Sequence, residues 1–175
     1  MSIATEVNHC TRKYKSAIAL GSNLGKSKDT LQKAVEIIQS APQIDLIRCS
    51  SWYQTKPVGP AQPDYINGCI TINTSFNPSE LLSFLLKIEQ KFGRERKEKW
   101  GARTLDLDLI LYDDLLIDLP NLKVPHILMR ERAFVLIPLA EIASQWIDPV
   151  TKLTVEILKN NLHYAHDEII KLSND

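Results

Sequence analysis

The stretch Gly68-Cys-Ile-Thr-Ile-Asn-Thr-Ser-Phe76, with Asn77-Pro-Ser-Glu80 directly behind it, decides the fold. Its first part alternates. Ile70, Ile72, Thr74 and Phe76 fall on one side of an extended chain, and Cys69, Thr71, Asn73 and Ser75 on the other, which is the period of a strand. Its second part is a helix start. Asn77 can cap, Pro78 suits the first helical position, where its missing N–H costs nothing, and Glu80 can reach back to the cap. Leu81, Leu85, Ile88 and Phe92 then recur at helical spacing until Gly93. A strand that runs straight into a capped helix is a βα unit.

The rest of the chain extends this pattern outward. Residues 16–20 read as a short buried strand ending at Gly21. Residues 29–39 read as a helix with Leu31, Ala34, Val35 and Ile38 on one face and Pro42 as a stop. Residues 44–53 are rich in strand formers, and 56–64, with three prolines and a glycine, form a loop. Downstream, 104–112 reads as a strand, 115–124 as a small hairpin around Pro120-Asn121, and 134–143 and 155–162 as helices. The order β-α-β-β-α-β defines an α+β, ferredoxin-like core. It predicts a mainly antiparallel four-stranded sheet with helices on both faces, the C-terminal hairpin and helices being additions. Residues 1–15 are read as a loose N-terminal extension and 16–175 as a single domain.

Composition narrows the function. The chain has 175 residues, 44% of them apolar, enough for one sizeable core. Lysine plus arginine equals aspartate plus glutamate at 21 each, which argues against broad binding to nucleic acid. No apolar run approaches the roughly 20 residues of a membrane span. The apolar stretch 17–20 is too short for a signal peptide. Three cysteines, with no C-x-x-C pair, suit a reducing compartment and point away from a zinc ribbon. A cytoplasmic monomer acting on small molecules is expected.

The chemistry concentrates in Thr104-Leu-Asp-Leu-Asp-Leu-Ile-Leu-Tyr112. Alternation places Leu105, Leu107, Leu109 and Leu111 on a core face and Asp106 and Asp108 on the other, with Ile110 beyond them. Two residues along a strand rise about 6.6 Å, so the two carboxylates can converge on a hard cation or on a pair of them about 3.5–4 Å apart. An isolated D-x-D is more often a solvated strand face. Here the window 87–103 precedes it, with seven basic residues (Lys87, Lys91, Arg94, Arg96, Lys97, Lys99 and Arg103) against three acids. Guanidinium groups clamp phosphate oxygens bidentately, and a metal neutralises the remaining charge of a polyphosphate. Oxygen ligands favour magnesium.

Other segments carry weaker signals. Gly21-Ser-Asn-Leu-Gly-Lys-Ser27 has three residues between its glycines where a phosphate loop needs four, and it reads as a tight, mobile turn. The loop before Tyr65 and Asn67 can shape a slot for a flat heterocycle, although Tyr65 in the core is the ordinary explanation. Glu89, beside the apolar stripe, reads as a surface partner of Lys87 or Lys91, or as a nucleotide contact. His126, with Arg130 and Arg132 beyond it, reads equally as a phosphate-binding group or as a surface loop. His163 and His166 lack a third ligand and define no site.

Together, Ala19-Leu-Gly-Ser-Asn23, Gln62-Pro-Asp-Tyr-Ile-Asn67, Gly93-Arg94 with Arg96, Trp100-Gly-Ala-Arg-Thr-Leu-Asp-Leu-Asp108, and Val124-Pro-His126 with Arg132-Ala-Phe134 resemble the 6-hydroxymethyl-7,8-dihydropterin pyrophosphokinases of folate biosynthesis. The resemblance implies transfer of a pyrophosphoryl group from ATP to the pterin hydroxymethyl group, with release of AMP. It implies two magnesium ions on Asp106 and Asp108, with Arg94, Arg96 and Trp100 on a catalytic loop. Glu89, Arg96, Trp100, Arg103, His126 and Arg132 would lie on the ATP side. Thr55, Val58, Tyr65, Asn67 and Phe134 would form the pterin pocket. Two other readings share part of the pattern: a non-catalytic, ferredoxin-like regulatory domain that binds a small molecule, and a D-x-D phosphatase or nucleotide-sugar transferase.

Overall fold

The computed structural model describes residues 12–57, 61–93, 102–164 and 168–173. The elements run β1 (Tyr14–Ser22), α1 (Ser27–Gln39), β2 (Ile44–Cys49), β3 (Tyr53–Thr55), β4 (Tyr65–Thr74), α2 (Pro78–Lys91), β5 (Asp106–Tyr112), β6 (Ile117–Leu119), β7 (Leu122–Val124), a 3-10 turn (Met129–Glu131), α3 (Ala133–Ala143), α4 (Val155–Asn160) and β8 (Ile169–Lys171). The main sheet is antiparallel, in the order β5-β1-β4-β3-β8, and β2 also pairs with β4. β4 therefore sits between the two strands that α1 connects, which is the split βαβ arrangement of a ferredoxin-like fold.

Six strands stand where four are expected, for two local reasons. The single strand expected over 44–53 is broken in two. β2 pairs with residues 70–74 and β3 with residues 65–67, so both pieces occupy the same column beside β4. Between them Ser50 Oγ accepts the Cys69 N–H at 2.9 Å. Trp52, 8% exposed, lies over Gly68, where an added Cβ would come within 2.6 Å of the ring. The other addition is β8, which joins β3 at the sheet edge from a C-terminal segment too short to signal a strand.

The capped helix forms as its sequence dictates. Asn77 Oδ1 accepts from Glu80 N at 2.9 Å, and Glu80 Oε2 accepts from Asn77 N at 2.8 Å, a complete capping box. Gly93 follows at φ 72°, the left-handed region glycine favours. α1 and α2 pack on one face of the sheet around Leu31, Ile38, Leu81, Leu85, Ile18 and Ile72. α3 and α4 pack on the other around Ala17, Cys69, Val135, Leu139 and Leu158. With both faces covered, β4 is buried on both sides instead of alternating between core and solvent.

In β5 the expected alternation holds only as far as Leu109. Ile18 pairs with Leu109 and Ala17 with Leu111, so Ile110 is an extra residue, a bulge. Leu105, Leu107 and Leu109 face α1 and α2 as expected. Beyond the bulge Leu111 turns to the α3 side with Ile110, and Tyr112 takes the place expected for Leu111. The N-terminal extension also ends earlier than expected, because Tyr14 and Lys15 already belong to β1.

Candidate functional site

β1 supplies the floor of a cavity. Directly opposite residues of paired strands share a face, with Cβ atoms about 4.5–5.5 Å apart. Gly21 lies between Asp106 of β5 and Asn67 of β4, and Ala19 between Asp108 and Cys69. Two small residues beside two carboxylates leave a hollow. Gly21 is required there, since an added Cβ would come within 2.8 Å of Asn67 Oδ1. The expected mobile turn at Gly21 is thus corrected: Gly21 and Ser22 are strand residues, and the turn to α1 begins after them.

The resulting cavity of about 110 Å³ is many times the roughly 10–15 Å³ one water needs. Thr55, Lys56, Pro57, Gln62, Tyr65 and Asn67 line one side. Arg103, Asp106 and Asp108 line the β5 side, and Arg132, Phe134 and Val135 come from the start of α3. Asn67 and Thr55 are both buried, and Asn67 Nδ2 donates to Thr55 Oγ1 at 2.7 Å. The Arg132 guanidinium lies 5.5 Å from the Phe134 ring centroid, within cation–π range. The structure brings nine of the expected residues to this cavity: Thr55, Tyr65, Asn67, Phe134, Arg103, Arg132, Asp106 and Asp108 on its walls, and His126 against Asp108. Val58, Arg94, Arg96 and Trp100 lie outside the described residues.

The carboxylate end is electrostatically tense. Arg103 Nη1 meets Asp106 Oδ2 at 2.6 Å. His126 Nε2 and Arg132 Nη1 stand 3.8 and 3.9 Å from Asp108 Oδ2. Those separations are too long for hydrogen bonds and suit a bridging water. Burial pushes the Asp108 carboxyl up to about 7. Asp106 and Glu89 push the same way, against Arg132 and Arg103. His126 is held below its ordinary value by burial and by Arg132, with Asp106 opposing. Its Nδ1 accepts the Leu128 N–H at 3.2 Å. The neutral ring therefore carries its proton on Nε2, facing Asp108, as a donor rather than a metal ligand.

These donors fit a hard divalent cation. Asp106 and Asp108 offer oxygen only, and among the described residues no group of three or more metal-ligating side chains occurs. A cation here would complete its shell with water and substrate oxygens, which is how magnesium is usually held.

Two expected residues have other surroundings. Glu89 is 1% exposed, not a surface partner of lysine, and its Oε1 accepts the Leu107 N–H at 2.7 Å between the two aspartates. Arg130 points away from the cavity. It holds the fully buried Asp148 through two hydrogen bonds of 2.7 and 2.8 Å. Sequence reasoning passed over Gly21, Asn23, Gln62 and Lys56 as site residues. Only the small residues across from the aspartates could have signalled one of them, and only once strand register was known.

Paired carboxylates facing a cleft with aromatic walls, on a ferredoxin-like α+β frame, describe a transferase that joins a phosphate donor to a flat acceptor. A family model described as 7,8-dihydro-6-hydroxymethylpterin-pyrophosphokinase (HPPK) matches residues 17–144. The chain belongs to that family. A 2-amino-4-hydroxy-6-hydroxymethyldihydropteridine pyrophosphokinase of Synechocystis sp. is 52% identical over 142 residues, covering 81% of this chain and 73% of the relative. One from Haemophilus influenzae is 41% identical over 157 residues, covering 89% and 96%. A crystal structure of Plasmodium falciparum HPPK-DHPS with pterin and p-hydroxybenzoate superposes with a TM-score of 0.69 at 12% identity. It covers 87% of this chain but 44% of that longer one, a likeness of fold.

Proposed function

We propose that this chain transfers the pyrophosphoryl group of ATP to 6-hydroxymethyl-7,8-dihydropterin, giving the pterin pyrophosphate and AMP, a step of folate biosynthesis. The observation behind the reading is that one cavity has Asp106 and Asp108 on one wall and Tyr65, Asn67 and Thr55 on the opposite one. A non-catalytic binding domain would need the second wall alone.

The pterin lies between Tyr65 and Phe134, its polar edge on Asn67 and Thr55; by family resemblance Val58 would complete the pocket. ATP lies on the Asp106–Asp108 side, with Arg103, His126 and Arg132 toward it; the family resemblance would add Arg96 and Trp100, and Glu89 acts through the Leu107 N–H rather than on the nucleotide. Asp106 and Asp108 would hold two magnesium ions, which would supply charge neutralisation for the triphosphate. The pterin hydroxyl attacks the β-phosphorus. A bond forms from its oxygen to that phosphorus, the bond to the α–β bridging oxygen breaks, AMP departs, and the hydroxyl proton passes to water or a phosphate oxygen. Arg132 and the Nε2–H of His126 stabilise phosphate oxygens from beside Asp108. By family resemblance, Arg94 and Arg96 would add further positive charge and Trp100 would help exclude water. Catalysis is chiefly positioning and fixed charge. The His126 tautomer has its proton on the cavity side and is no base for the hydroxyl.

A monomer in the cytoplasm goes with this reading. Among the described residues no helix is long and apolar enough to cross a membrane. Cys49 and Cys69 are free thiols. The deciding assay incubates the protein with ATP, magnesium and the hydroxymethyl-dihydropterin. AMP and pterin pyrophosphate in equal amounts are expected, and ADP with a pterin monophosphate would overturn the reading.

A further inference from the structure

Asn23, at the turn after β1, is 3% exposed and reaches two distant segments. Its Oδ1 accepts the Arg103 N–H at 2.8 Å, and its own N–H donates to Arg103 O at 3.0 Å. Its Nδ2 donates to Gln62 Oε1 at 2.9 Å and to Pro63 O at 3.0 Å. The bond from Arg103 N–H fixes which way the amide points, so the amide hydrogens must face Gln62 and Pro63. Both arms end on the cavity rather than in a core. Arg103 holds Asp106 on the carboxylate wall. Gln62 lines the opposite wall and leads, with Pro63, into Tyr65 and Asn67.

We propose that Asn23 is a positioning residue that ties the ring-binding wall to the carboxylate wall, and so sets the reach of the acceptor toward the nucleotide. The inference rests on the cavity being shared by acceptor and nucleotide. It assigns Asn23 no contact with either. A buried amide that merely knits loops would affect stability. One that sets separation affects reaction geometry, where an error of about 1 Å costs on the order of a hundredfold.

Asn23→Asp is the informative change. It keeps the acceptor for the Arg103 N–H but sets a carboxylate against the Pro63 carbonyl. Steady-state kinetics of the full chain should show KM for the pterin up about tenfold and kcat down at least as much, the scale of one or two lost hydrogen bonds. KM for ATP should move less than about twofold. Gln62→Leu, in a half-exposed loop, should shift the same parameters in the same sense. The double variant should be little worse than Asn23→Asp alone, because both cut one connection. Strictly additive effects, equal changes in both KM values, or a lower Tm with unchanged kinetics would each overturn the proposal. A fluorescence titration with the pterin separates it from the functional reading. Wild-type protein that binds pterin but releases no AMP defeats that reading. Unchanged pterin affinity in Asn23→Asp defeats the role of Asn23.

Discussion

Replacing Asp108 by asparagine should abolish turnover and, without magnesium, make the protein more stable. The carboxylate is partly buried beside Asp106, and its pKa is pushed up to about 7 by burial and then by that neighbour. In the unfolded chain it titrates near 3.9. A raised carboxyl pKa means that the folded state resists the charge. The penalty is absent below pH ~4, grows between about 4 and 7, and is complete above 7. Three units would be about 4 kcal/mol at 1.36 kcal/mol each. Solvent reaches 32% of the side chain, and screening reduces the figure to about 1–3 kcal/mol. Asparagine keeps the shape and drops the charge. Thermal unfolding in EDTA at pH 8 should therefore show a Tm higher by about 2–10 °C for a chain of this size. At pH 4 the gain should nearly vanish. Added magnesium should raise Tm of the wild type and leave Asp108→Asn unmoved, because binding to the folded state alone stabilises it. Turnover with ATP and pterin should fall about a hundredfold or more. An unchanged or lower Tm at pH 8 would show that the two carboxylates do not repel. Near-wild-type turnover would return them to an ordinary acidic strand face.

The parts of this structure legible in the sequence are those decided by local pattern. The capping box at Asn77 and Glu80, the stripe from Leu81 to Ile88 and Leu105, Leu107 and Leu109 were readable because helix and strand periods are short-range properties. So was the shared face of Asp106 and Asp108. What escaped depends on register between distant segments. The bulge at Ile110 appears only when β5 is laid against β1. The break between β2 and β3 follows from Trp52 lying on Gly68, a contact that no window of sequence holds. Glu89 reads as a surface acid by its neighbours but is buried, because the β5 amide of Leu107 lies beside it. β8 has two strand-forming isoleucines, but at three residues it becomes a strand only through its pairing with β3 and Lys171 against Glu141. The site repeats the lesson. The aspartates were visible as a pair, while the hollow beside them needed Gly21 and Ala19 to be placed opposite.

The other predictions test that hollow and the frame around it. Gly21→Ala should push Asn67 aside and raise KM for the pterin about tenfold, with little change for ATP, in the same kinetic assay; equal KM values would show that Asn67 does not shape the ring pocket. Phe134→Ala should cost about 1–3 kcal/mol of pterin binding, read by fluorescence titration, if its ring stacks on the ligand. Gly68→Ala should lower stability by about 1–3 kcal/mol in urea unfolding, since its Cβ meets the Trp52 ring, while KM values hold. The last concerns Asp148. Burial favours its neutral form, but hydrogen bonds from Arg130, Thr151 and the Val150 N–H outweigh this and bring its pKa down to about 2. A depressed carboxyl pKa contributes stability that is complete above about pH 4 and is lost as pH falls toward 2. The contribution is about 2–3 kcal/mol, and Asp148→Asn should remove about 2–4 kcal/mol at pH 7 by leaving Arg130 without its charged partner. Because Arg130 points away from the cavity, urea unfolding of Asp148→Asn should show this loss, shrinking as pH approaches 2, while KM for ATP stays at the wild-type value. A rise in KM for ATP without loss of stability would place Arg130 on the nucleotide after all.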